Sequence, residues 1–171
     1  MADNAHGSVG AAARAGIGGL AGALATFVMD AVTDVFYTAH IKERESAISS
    51  RSAGAAVATQ MLTALGLEPN EEDAGKAASV LHWTIGIGSG MIAGVLSGKR
   101  ARGAIAACAI STAGMLCFDE FGLSAIGAMP PSSRYPWQTN FRSVVGHLAF
   151  GTILTLAYSV AALVVEGTCR D

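Results

Sequence analysis

The chain has 171 residues, of which 51% are apolar and only 14% charged, with a formal net charge of −2. That balance excludes a general attraction to nucleic acid. Soluble domains carry roughly a quarter charged residues, so this shortage, with a mean hydropathy of +0.45, points to lipid as the solvent of a single-domain chain.

Residues 1–14 form an Ala/Gly-rich tail expected to be mobile. Residues 15–37 are the first stretch long enough to cross a hydrocarbon core, which takes about 20 helical residues. This stretch carries Asp30 and Asp34, and with Asp3 and Arg14 ahead of it, it does not read as a cleaved signal peptide. The first helix is therefore expected to be retained. A long connection follows, from His40 to Lys76, opening on the charged patch Lys42-Glu43-Arg44-Glu45. Its residues Ala55, Val57, Met61, Leu62 and Leu65 have amphipathic helical spacing, with Gly66 as the stop. Such a helix lies on a membrane surface, covers the mouth of a bundle, or merely packs the loop down.

Asn70, followed by Glu71, Glu72 and Asp73, is a helix N-cap with acids in the first turn. The second span is expected at 78–98. A short basic connection, Lys99-Arg100-Ala101-Arg102, leads to the third span at 103–129, which carries Asp119 and Glu120. The proline-rich segment Pro130-Pro131-Ser132-Ser133-Arg134-Tyr135-Pro136-Trp137 is expected to be rigid and irregular, and a fourth span runs over 142–165. Residues 167–171 are a second tail. The predicted fold is thus an all-α, integral membrane four-helix bundle over residues 15–166, with an amphipathic helix in its first connection. A soluble bundle is the alternative, but it needs polar faces that the second and fourth spans lack.

Four spans put both termini on one side with the basic connection. Arg14, Lys99, Arg100, Arg102 and Arg170 lie in short flanks on that side, whereas Lys42, Arg44, Arg51, Lys76, Arg134 and Arg142 are spread over long connections that also hold acids. The positive-inside rule then places both termini in the cytoplasm. Tyr37, Trp83, Tyr135 and Trp137 fall at the opposite interface. Cys108, Cys117 and Cys169 do not form a disulfide framework and are expected as thiols.

Three spans share one signature, an ionisable residue on a stripe of small residues four apart: Gly18, Gly22, Thr26, Asp30, Asp34; His82, Gly86, Gly90, Gly94, Gly98; and His147, Gly151, Thr155, Ser159. Small residues at this spacing allow close helix approach, within the chain or between copies. Alternating helix direction brings Asp30, Asp34, His82, Asp119, Glu120 and His147 into one leaflet, on the side of the long connections. Residues four apart drift around an α-helix, so a five-member ladder does not stay on one face. Asp119 and Glu120, as neighbours, point about 100° apart, so one is expected to face the cluster and the other to pack elsewhere.

Acids and imidazoles at membrane depth form a hydrogen-bonded network that sets register, relay protons or ions, or bind a ligand. A transition metal at His82, Glu120 and His147 is a further reading, although the Glu-x-x-His and His-Glu-x-x-His spacings are absent. There is no phosphate loop, Gly-x-Ser-x-Gly or Cys-x-x-Cys, so the sequence favours no enzyme activity. His6 and His40, isolated and polar-flanked, are expected to be solvated. Two main function classes follow, besides a metal-dependent intramembrane enzyme for which the sequence offers no motif. One is a small proton- or ion-handling membrane protein. The other is an accessory subunit, homo-oligomeric or docked on a larger membrane complex through its glycine-rich faces.

The run His82-Trp83-Thr84-Ile85-Gly86, then Asp119-Glu120, Tyr135-Pro136 and His147-Leu148-Ala149-Phe150-Gly151, resembles the YagU-like family of uncharacterised bacterial inner-membrane proteins. The likeness spans residues 70–151. It implies an inner-membrane helical bundle and singles out His82, Glu120 and His147, but implies no activity. The chain departs from the family pattern at Ile85, where an aromatic is usual, and at Ser124, where proline is frequent and would kink the third helix.

Overall fold

The computed structural model describes residues 10–97 and 101–168. Gly98, the last member of the second stripe, lies outside the described residues, as do His6, Lys99, Arg100, Cys169 and Arg170. Every element among the described residues is helical: α1 (Ala11–Val35), α2 (Ala39–Ser46), α3 (Ala53–Ala64), α4 (Glu71–Leu96), α5 (Ala101–Cys117), a π-helical turn (Phe118–Gly122), α6 (Leu123–Ala125), a 3₁₀ turn (Ser132–Arg134) and α7 (Trp137–Thr168). Four helical stretches, Ala11–Val35, Glu71–Leu96, Gly103–Ala125 and Trp137–Val165, are long and apolar enough to cross a membrane.

Local chemistry sets most boundaries. Asn70 caps α4 as expected, its Oδ1 accepting from the Asp73 N–H at 2.9 Å ahead of three acids in the first turn. Thr38 and Ser52 cap α2 and α3 in the same way. Gly66 ends α3 at φ +80, with its N–H on Thr63 and the Leu67 N–H on Leu62, a closure that needs a left-handed residue. Gly127 does the same after α6, which ends the third span at Ala125 and not at 129. Two further boundaries shift. Helix α1 starts at Ala11, because Ala11-Ala12-Ala13-Arg14 are strong helix formers, and α7 starts directly after Pro136, ahead of 142. The charged patch in the first connection forms α2.

The four long helices close a ring in which α1 packs on α4 and α7, and α5 packs on the same two. The first and second stripes meet each other. A Cβ on Gly18 or Gly22 would collide with the Gly90 or Gly86 carbonyl, and one on Gly94 with that of Arg14. Thr26 fills the space opposite Gly86 and returns its hydroxyl hydrogen to the Gly22 carbonyl at 2.8 Å, so it adds no unpaired polar group. The third stripe faces α5, with Thr112 packed on Gly151. Phe150, Leu154 and Ala25 are fully buried at the centre.

Helix α3 lies against α4, with Gly54 over Ala78. Its packed residues are Ala56 and Ala58, while Met61 and Leu65 of the expected apolar stripe are exposed.

Candidate functional site

Each of the long helices brings an ionisable side chain to the end of the bundle that carries the long connections. Asp30 on α1 meets His82 on α4, with Oδ1 to Nε2 at 2.8 Å and both side chains about two-fifths exposed. His147 on α7 is buried, at 3% side-chain exposure, and its Nε2 lies 3.5 Å from Oδ2 of Asp119. Asp34, His82, Asp119, Glu120 and His147 all line one cavity of about 660 Å³, and Asp30 joins it through His82.

Asp119 and Glu120 sit in the π-helical turn. Here the Leu123 N–H reaches back five residues to the Phe118 carbonyl, an irregularity that often marks functional positions. Gly122 permits it, since a Cβ there would meet the Phe118 ring at 2.5 Å. Contrary to the expectation for neighbours on a regular helix, both acids line the cavity. Glu120 is further tied to the proline-rich connection through Ser132, whose hydroxyl donates to its backbone carbonyl at 2.6 Å.

Sequence reasoning missed the roof. Arg142 donates from one terminal nitrogen to both Glu45 oxygens, at 3.0 and 3.2 Å, and its guanidinium lies 4.1 Å from the centre of the Tyr37 ring. This pins α2, which buries no residue of its own, over the cavity. A cation near the start of an apolar helix opposes the helix dipole, and that was the available signal that Arg142 has a partner. Tyr135 also lines the cavity. Burial raises its phenol above the ordinary tyrosine range; the polar Ser49 hydroxyl beside it opposes this and Glu45 adds to it.

At the other end of the bundle, the Tyr158 hydroxyl lies 2.5 Å from that of Ser97 and 3.3 Å from the Gly94 carbonyl, all buried. Nothing in the spacing announced this pair. Cys108 is buried and Cys117 exposed, both as free thiols, and His40 is exposed as expected.

The chain matches no family model, no curated protein and no solved structure.

The geometry lends no support to a transition metal at His82, Glu120 and His147. Among the described residues, no three His, Cys, Asp or Glu side chains come together to hold an ion. The imidazoles are committed elsewhere: Nε2 of His82 to Asp30, and both nitrogens of His147 to protein oxygens.

The two contacts of His147 constrain its protons. Nδ1 lies 2.9 Å from the Ser143 backbone carbonyl, which only accepts. Nδ1 therefore carries hydrogen. In a neutral ring Nε2 is then a bare acceptor, facing a carboxylate oxygen that is also an acceptor. Two acceptors at this distance repel, and although the Asp119 side chain is about half exposed, the contact becomes attractive only with one more proton, on Nε2 or on Asp119.

Proposed function

We propose that this chain is an integral inner-membrane protein, both termini cytoplasmic, that binds a proton at the His147–Asp119 pair from the non-cytoplasmic side. The observation that carries this reading is the Nδ1–H contact to Ser143, which leaves Nε2 facing Asp119 with no proton to share unless one is taken up. The cavity supplies access, and His82 links it to the second imidazole–acid pair. One turn and two turns beyond His147, the fully buried Phe150 and Leu154 fill the bundle. In this conformation the site is served from one side, which suits a proton-responsive protein better than a conduit. The likeness to the YagU-like proteins belongs to this reading, because His82 and His147 open the matching runs.

The accessory-subunit reading rested on glycine faces as docking surfaces. Gly18, Gly22, Gly86, Gly90 and Gly94 are packed within the chain, which favours the first reading.

The test is proton uptake by the purified chain in bilayer nanodiscs after a pH jump, read with a soluble pH dye. The parent protein takes up one proton more than Asp119→Asn, whose amide donates to Nε2 without a titratable proton. Equal uptake by the two proteins refutes the reading.

A further inference from the structure

The cavity has a charge pattern that proton binding does not use. Glu45 and Arg142 neutralise each other, and Asp119 is engaged by His147. Asp34 and Glu120 also line it, as do Lys42 and Arg51, and none of these four has an ion-pair partner among the described residues. The signs are segregated. The two carboxylates stand on the spans, in the last turn of α1 and in the π-helical turn, whereas the two cations stand on α2 and on the connection to α3. A ligand of one sign would leave the other wall unmatched.

Two hydroxyls complete the lining. Thr139 Oγ1 and Tyr135 Oη are buried from water yet make no hydrogen bond of good geometry, and the Ser49 hydroxyl beside Tyr135 donates to the Arg51 carbonyl. Buried polar atoms are ordinarily paired, so orphans in a cavity wall point to something bound there. A volume of about 660 Å³ is within the range of small-molecule sites, roughly 300–1,000 Å³.

We propose that this cavity binds a small zwitterion carrying a primary ammonium and an oxyanion, the ammonium on Glu120 and Asp34 and the oxyanion on Arg51 and Lys42. Arginine favours carboxylate and phosphate oxygens, and a primary ammonium supplies three donors to carboxylates and hydroxyls. The chemistry is shared by free solutes and by an aminophospholipid headgroup. The proposal stands on the cavity walls and goes beyond the proton reading, since neither His147 nor Asp119 holds the ligand.

Isothermal titration of the full chain in phosphatidylcholine nanodiscs with phosphoethanolamine tests it. Saturable binding is expected, at least tenfold tighter than phosphocholine, ethanolamine or inorganic phosphate. Arg51→Gln and Asp34→Asn, both at exposed positions, each weaken it at least tenfold with the thermal midpoint unchanged. Repetition in phosphatidylethanolamine nanodiscs separates the sources: competition by the lipid marks a headgroup site, and unchanged affinity marks a site for a free solute. Absence of saturable binding, equal binding of phosphocholine, or unaltered affinity in both variants overturns the proposal.

Discussion

Gly90 and Gly88 lie two residues apart on one helix and meet opposite surroundings. A Cβ on Gly90 would overlap the Gly18 carbonyl oxygen and lie 2.9 Å from the Gly22 Cα, whereas one on Gly88 meets nothing within 4 Å. Alanine gains about 0.5–1 kcal/mol over glycine within a helix, so Gly88→Ala is expected to be neutral or slightly stabilising. At Gly90 the obstacle is backbone on a facing helix, which no rotamer change relieves. Restoring ordinary contact needs α1 and α4 to part by at least half an ångström, against a carbonyl that already sits closer than the Cα. Overpacking of this kind costs about 1–3 kcal/mol, and separating the helices also weakens the Gly22–Gly86 and Gly18–Gly94 approaches. The net expectation for Gly90→Ala is a loss of roughly 1–3 kcal/mol, read as a lower midpoint of unfolding in dodecyl sulfate titrations from mixed micelles. If Gly90→Ala and Gly88→Ala unfold at the same midpoint, the stripes do not close the bundle and the packing described here is wrong.

Three further outcomes are expected. Glu45→Gln and Arg142→Gln each lower stability by roughly 1–3 kcal/mol, between the limits for exposed and buried pairs, and a double-mutant cycle recovers a coupling of the same sign; additivity of the two would contradict the latch between α2 and α7. Tyr158→Phe costs about 1 kcal/mol through loss of the Ser97 hydrogen bond, and a midpoint equal to the parent's would show that the pair carries no stability. Because the Tyr135 phenol is raised in the fold, its stabilising contribution is complete below about pH 10 and is lost as pH rises beyond that. Tyr135→Phe should flatten that alkaline decline in a pH series of thermal melts.

The four long helices were legible as apolar stretches, and small residues four apart marked the faces made for close approach, but which stripes meet was settled only by the fold. Gly18, Gly22 and Thr26 find Gly86, Gly90 and Gly94, and the ionisable heads of the stripes then arrive together at one end. The exact ends were less legible: Gly127 turns the chain through a positive φ that a smooth hydropathy profile does not register. The π-helical turn was invisible for a related reason. It depends on the Phe118 ring occupying the space above Gly122, which is a packing fact and not a periodicity. Glu45 and Arg142 are 97 residues apart, in a stretch where neighbouring charges of both signs offered equally plausible partners, so only the fold could select them. The acid–imidazole pairing was read from depth alone; which acid takes which imidazole depended on helix rotation, and that placed Asp30 on His82 and Asp119 on His147.

The state of one imidazole ring decides the account. Solid-state ¹⁵N spectroscopy of ring-labelled histidine in bilayers, with His147→Asn used to assign the signal, reads both nitrogens of His147 directly. The expected result near neutral pH is a protonated Nδ1 together with an Nε2 that carries, or accepts at short range, a proton shared with Asp119. In Asp119→Asn the Nδ1 hydrogen persists and Nε2 becomes an ordinary acceptor. A bare Nδ1 with its hydrogen on Nε2 would mean that the Ser143 carbonyl does not set the ring, and that the pair stores no proton.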